Sequence, residues 1–154
     1  APRQIENKLK VYPYIREAVA IGNGREHVCA LIDIDPVTTG RWVDKRNISY
    51  TGHADLAALP EVYDLIADGV ARANAELARD PALAGSQIHR FLILRQELDP
   101  DDGTLTRTGK LRRDVIAERF GDLIGAMYSD SYAAGDVRIC DAKVQPSTPA
   151  RKAA

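Results

Sequence analysis

The chain has 154 residues, 45% of them hydrophobic, enough for one domain with a buried core and too few to divide convincingly into two. Its 21 basic and 22 acidic residues leave a formal charge of −1, without the positive excess of a dedicated nucleic-acid binder. No run approaches the ~18 apolar residues of a membrane span and no signal-peptide pattern opens the chain, so a cytoplasmic location is expected, with peripheral membrane contact left open.

Pro2 suits the first turn of a helix, Ile5, Leu9 and Tyr12 recur near helical spacing, and Pro13 stops the run. The chain opens without methionine on what already reads as a helix, the pattern expected of a piece of a longer polypeptide. Next, "EAVAIGNGREHVCALIDID" sets two β-rich runs around Gly22-Asn23-Gly24-Arg25, a hairpin signal. Val19 and Ile21 mark one face, with Val28, Ala30, Ile32 and Ile34 as the alternating set across the turn. Cys29 lies inside the apolar run and reads as a buried reduced thiol; a disulfide with Cys140 has no support.

A short helix around 37–45 carries Trp42, and a polar connection, "RNISYTGHADLAALP", follows. From Pro60 to about Arg79, the stripe Val62, Leu65, Ile66, Gly69, Val70, Ala73 and Leu77 predicts a long amphipathic helix. "IHRFLILRQEL" predicts a third strand, central because Phe91 to Leu94 is continuously apolar. After the turn "DPDDG" comes "GTLTRTGKLRR", then a helix from Leu111 to about Phe120 and further helical turns at Leu123, Ile124 and Met127. "VRIC" at 137–140 suggests a late strand, and "QPSTPARKAA" reads as a loosely held tail. The fold class expected is α+β, a small mixed sheet with a β-hairpin and helices packed on it.

The loop from Gly103 to Arg113 is the main chemical candidate. It fails as a nucleotide-binding glycine loop: Gly103 and Gly109 are separated by five residues, and Leu111 follows Lys110 where a hydroxyl is needed. Thr106, Thr108 and Gly109 can still present hydroxyls and backbone N–H groups to an anion, with Lys110 as a point charge. The alternative is an ordinary strand-to-helix connection with a solvated lysine. Asp99, Asp101 and Asp102 lack the alternating spacing of a calcium loop and read as a polar turn. His27, His53 and His89 show no ligand spacing, so no metal site is expected. Arg107, Lys110, Arg112 and Arg113 lack the interleaved aromatics of a base-stacking surface, so no nucleic-acid partner is expected.

Beyond these local readings, "PRQIENKLK", "YIREAVAIGNGREHVCALIDID" and "ELDPDDGTLTRTGKLRRDVIAERF" together resemble the C-terminal domain of acyl-CoA synthetases. Within these adenylate-forming enzymes the match is to the bacterial long-chain fatty acid–CoA ligase type, over about residues 2 to 128. "TGHADLAALPEVYDLIADGVARANAEL" resembles the extra helical segment of the long-chain branch. The resemblance implies a lid domain over residues 1–130; residues 131–154, beyond it, read as a C-terminal extension of one strand followed by a flexible tail. It also implies a two-step ligase: a carboxylate attacks the α-phosphate of ATP to give acyl-adenylate and pyrophosphate, and coenzyme A thiol then displaces AMP. ATP and Mg would be bound mainly by an N-terminal adenylation domain of the same polypeptide, the expected partner, with fatty acid and coenzyme A as the other substrates. Lys110 is the adenylation lysine that the resemblance implies, Thr106, Thr108 and Gly109 form its loop, and Arg25 is a coenzyme A contact set against a solvated turn residue. The isolated chain would be inactive. A free-standing binding or regulatory domain of the same fold is the alternative.

Overall fold

The computed structural model describes residues 2–146; the expected flexible tail, over 147–154, lies outside the described residues. Helix α1 (Pro2–Lys10) buries Ile5, Glu6 and Leu9, and its last turn carries Lys8 and Lys10, which suit the negative end of the helix dipole. Strands β1 (Ile15–Ile21) and β2 (Val28–Ile34) pair antiparallel as the predicted hairpin. Asn23 and Gly24 sit at the centre of a turn closed by the Arg25 N–H on the Gly22 carbonyl at 3.0 Å, with Gly24 at φ +72°. The ladder ends at Ile21↔Cys29, so seven residues separate the last paired positions rather than the two of a tight turn.

Helix α2 (Pro36–Asp44) starts where Asp35 caps the Thr38 N–H at 3.0 Å and Pro36 fills the first turn. A further helix, α3 (His53–Ala58), lies inside the stretch expected to be a polar connection. It buries Leu56 and Ala57, and six residues between Gly52 and Pro60 are too few to show a period. Helix α4 (Pro60–Arg79) buries all seven residues of its predicted stripe and Asn74 besides. Gly69 gives that stripe a close approach: a Cβ there would lie 2.3 Å from the Tyr12 ring, whose hydroxyl donates to the Leu65 carbonyl at 3.0 Å.

Strand β3 (Ile88–Ile93) is the middle strand, as its apolar run implied, although shorter than the stretch 88–98. Helices α5 (Arg113–Arg119) and α6 (Gly121–Met127) follow, then β4 (Ala133–Ala134) and β5 (Val137–Asp141). The sheet order is β1-β2-β3-β5-β4; β2 and β3 are parallel and the other neighbours antiparallel. This is the mixed α+β architecture expected.

Both faces of the sheet are covered. Helices α1 to α4 pack on Ala18, Ala20, Ala30, Ile32, Phe91 and Ile93. Helices α5 and α6 pack on Val19, Cys29, Leu31, Leu92 and Ile139. Val19 and Ile21 pair with Leu31 and Cys29, so they belong to the second face, whereas Val28, Ala30, Ile32 and Ile34 belong to the first. Alternation cannot rank the faces of a strand that is apolar on both. Cys29 is fully buried and free, and burial pushes its thiol pKa up, so it is inert.

Candidate functional site

The chain leaves β3 and enters a polar turn whose side chains are used internally. Asp99 accepts the Asp101 N–H at 2.7 Å, and its own N–H donates to the Thr104 hydroxyl oxygen at 2.8 Å. Thr104 is fully buried; its hydroxyl and N–H both reach Asp102 Oδ1, at 2.6 and 3.0 Å. Burial pushes the Asp102 pKa up, but the Thr104 bonds and then Arg119, 3.3 Å away, outweigh it and leave the carboxyl below its ordinary value. Gly103, at φ +83°, lets the chain turn back on itself. These aspartates therefore act as turn formers, as their spacing suggested.

Above that base stands a small protruding loop. Leu105 and Leu111 form a β-bridge, which takes Leu111 out of the helix expected to begin there; α5 starts at Arg113. Inside the bridge the Thr106 N–H donates to the Lys110 carbonyl at 2.8 Å and the Gly109 N–H to the Thr106 carbonyl at 2.9 Å. Thr106 Oγ1 accepts the Lys110 N–H at 3.0 Å and lies 3.1 Å from Thr108 Oγ1. Gly109 adopts φ +82°, where residues with a Cβ are strained. The two threonines thus stiffen the loop from within. The Lys110 side chain stands in solvent, and the ion pairs among the described residues use other cations.

Arg113 roots this loop in the body of the domain. Its two terminal nitrogens meet the Glu6 carboxylate at 2.7 Å each, and Glu6 Oε2 also accepts the Ala20 N–H on β1 at 2.8 Å. Arg113 and Arg25 line one cleft of about 750 Å³, walled by Ile5, Val19, Ile21 and Ile124. Lys110, Thr106 and Thr108 are not among its walls, so Arg25 and Lys110 occupy separate places. Arg25 lies with its guanidinium 4.5 Å from the centre of the Tyr128 ring. The Tyr128 hydroxyl lies 2.9 Å from the Ile21 carbonyl and 2.7 Å from that of His27, gripping both ends of the hairpin connection. Burial first and Cys29 second raise the Tyr128 pKa, so the phenol remains a donor.

A second polar group sits at the other end of the strands. Asp33 is buried, and Arg16 reaches its Oδ2 at 3.0 Å and Glu97 at 2.8 Å. Burial wins over Arg16 and raises the Asp33 pKa to about 6. Sequence reasoning passed over Glu6, Asp33 and Asn74; the only signal was a polar residue on an otherwise apolar face. It also separated His27 from His89, whose rings the fold places side by side.

The family model for the AMP-binding enzyme C-terminal domain matches residues 1–132. The chain is similar to long-chain-fatty-acid–CoA ligase FadD15 of Mycobacterium tuberculosis (strain ATCC 25618 / H37Rv), 34% identical over 131 residues, 84% of this chain and 21% of the ligase. It is also similar to putative fatty-acid–CoA ligase fadD11 of Mycobacterium tuberculosis (strain CDC 1551 / Oshkosh), 37% identical over 130 residues, 84% of this chain and 22% of the relative. The chain thus spans about a fifth of the length of these curated relatives. Among solved structures it resembles the A-PCP didomain of carboxylic acid reductase from Segniliparus rugosus in complex with AMP, at TM-score 0.58 and 19% identity, covering 83% of this chain and 16% of that one. The adenylation domain of a carboxylate reductase from Mycobacterium chelonae gives TM-score 0.58 and 21% identity over 83% of this chain and 18% of the other. At such identities the likeness is one of fold.

Proposed function

Because the chain belongs to the AMP-binding enzyme C-terminal domain family, related to fatty-acid–CoA ligases, we propose that it is the lid of an ATP-dependent long-chain fatty acid–CoA ligase and that Lys110 is its adenylation residue. In this reading residues 1–130 form the lid and residues 131–146 an extension along the sheet. The partner is an N-terminal adenylation domain of the same polypeptide, and the substrates are a fatty acid, ATP and coenzyme A. That domain also holds Mg: Asp99 and Asp102 are already engaged by the turn's own N–H and hydroxyl groups, so they make a poor ligand set.

The observation that carries the reading is an internally hydrogen-bonded, exposed loop that ends in a lysine with no carboxylate on it among the described residues. When an acyl carboxylate attacks the α-phosphate, negative charge builds on the phosphoryl and bridging oxygens. An ammonium held there by a preorganised loop stabilises that charge without giving up a proton. Thr106, Thr108 and Gly109 keep the loop in shape, which limits the entropy lost when Lys110 enters the site. Lid rotation then withdraws Lys110 and offers another surface for thioester formation. Arg25, beside the cleft, is assigned to the phosphate groups of coenzyme A. Without the adenylation domain the chain is inactive.

The test separates the two half-reactions in the chain joined to its adenylation domain. Lys110→Ala should slow acyl-adenylate formation by ~10²–10³ while thioester formation from supplied acyl-adenylate stays near that of the parent. An equal loss in both steps would show that Lys110 has no role confined to adenylation.

A further inference from the structure

Two histidines that lie 62 positions apart in the chain become neighbours in the fold. Their ring centroids are 4.7 Å apart with the planes tilted by 31°. His89 is in β3 and His27 directly precedes β2, and the two strands run parallel with Val28 opposite Ile88. The backbone at both positions is pinned. The His27 carbonyl accepts the Tyr128 hydroxyl at 2.7 Å, and the His89 carbonyl accepts the Ala142 N–H at 2.8 Å. Both rings line a groove of about 500 Å³, and among the described residues neither ring is engaged in a hydrogen bond.

We infer that this groove is a binding site for a divalent transition-metal ion of the zinc, nickel and copper class, chelated by the imidazoles of His27 and His89. This goes beyond the ligase reading and does not depend on it. Imidazole nitrogen favours these ions over magnesium or calcium, which select oxygen ligands. Binding needs a free lone pair on each ring.

The charges around the groove do not oppose a cation. Arg90 is occupied: it pairs with Asp141 at 3.0 Å and donates to the Met127 and Ser129 carbonyls. Glu26 and Asp130 line the same groove and offset Arg25, whose guanidinium rests on Tyr128. Among the described residues no three His, Cys, Asp or Glu side chains converge on one point. The site therefore has two protein ligands, with solvent completing the coordination. Such an open site exchanges its ion readily, unlike the closed four-ligand sites that hold structural zinc.

The test is calorimetric titration of ZnCl2 and NiCl2 into the untagged 154-residue chain near neutral pH, with ring-nitrogen NMR shifts of the histidines followed in parallel. Saturable one-to-one binding is expected, with the His27 and His89 ring signals moving together. His27→Gln and His89→Gln should each weaken it about tenfold or more, since even groups that merely orient a metal ligand contribute that much. Both variants keep a polar side chain of similar reach, and thermal melts check that they fold. His53→Ala and Lys110→Ala should leave binding unchanged, and MgCl2 should give none. Absence of saturable binding at large metal excess would overturn the inference, as would binding that survives both glutamine substitutions or that magnesium supports equally.

Discussion

Glu6 and Arg113, separated by 107 positions, form a bidentate ion pair with both N–O distances at 2.7 Å. The pair joins α1 to the start of α5, three residues beyond Lys110, and through the Ala20 N–H it also holds edge strand β1. Its two halves differ in environment: the Glu6 side chain is 5% exposed and that of Arg113 is 44% exposed. The two truncations should therefore be unequal.

Arg113→Ala leaves a buried carboxylate with one N–H donor, and should cost about 2–3 kcal/mol in unfolding free energy, below the full figure for an entirely buried pair because water reaches the arginine. Glu6→Gln keeps an acceptor for Ala20 and releases an arginine that water can solvate, so about 1 kcal/mol is expected. Urea melts of both variants measure this. Were Arg113→Ala to fall within the ~0.5 kcal/mol typical of surface changes, the pair would contribute nothing to holding the loop's root.

Asp33 gives the stability a pH dependence of unusual sign. Its pKa rises from 3.8 to about 6 on folding, because burial outweighs the pull of Arg16. The native state therefore binds this proton more tightly than the unfolded chain does. Its contribution is fully present below the unfolded value and is lost as pH rises through about 6. At 1.36 kcal/mol per pH unit the difference is at most about 3 kcal/mol. Asp33→Asn removes this titration, while Arg16 keeps Glu97 at 2.8 Å. Burial also lowers the pKa of the His53 ring, but that ring is present in both proteins. The wild-type advantage over Asp33→Asn should shrink between pH 4 and 7. A constant difference across that range would mean that Asp33 is ionised throughout.

Asn74 is the clearest case of a structural residue that the sequence could not announce. It lies in α4 between Ala73 and Leu77 of the apolar stripe, and it is fully buried. Its amide donates to the Ile88 carbonyl at 2.8 Å and the Lys143 carbonyl at 2.9 Å, and it accepts the Ile88 N–H at 2.7 Å. It thus satisfies the start of β3 and fixes the chain just beyond β5. Asn74→Ala strands all three groups, and a loss of about 2–4 kcal/mol is expected by thermal or urea unfolding. Faster amide exchange should appear at Ile88 first. Unchanged protection there would mean that water replaces the side chain without cost.

The periodic parts of this fold were legible and the partnered parts were not. The stripe from Val62 to Leu77 marks α4 because one face of a twenty-residue helix repeats often enough to be read. The apolar run at Phe91–Leu94 marks the middle strand because both of its sides are covered. Helix α3 offered only Leu56 and Ala57 as a signal. Glu6–Arg113 and His27–His89 are pairings across the fold, and composition says nothing of which distant side chains will meet. In the loop itself the residue types were readable, but the Leu105–Leu111 bridge was not, since two leucines six positions apart carry no mark that their backbones will pair.

Gly109 tests whether the Lys110 loop is a module that can deform without the core. At φ +82° a residue with a Cβ costs roughly 1–2 kcal/mol, and the new atom would meet nothing within 4 Å, so strain is the only penalty. The bonds inside the loop join Thr106, Thr108, Gly109 and Lys110 to one another, while the two hydrophobic clusters lie elsewhere. In Gly109→Ala the loop can relieve its strain by opening locally, so global unfolding should change by less than about 0.5 kcal/mol. Amide exchange at positions 109 and 110 should accelerate about tenfold, the ratio that ~1.4 kcal/mol produces. Gly109→Asn should be milder, because asparagine tolerates the left-handed region. In the chain joined to its adenylation domain, a loosened loop should slow acyl-adenylate formation in the same order, alanine more than asparagine. A full loss of global stability with loop protection unchanged would show instead that the loop is locked to the core, and the preorganisation argument for Lys110 would have to rest on Arg113 alone.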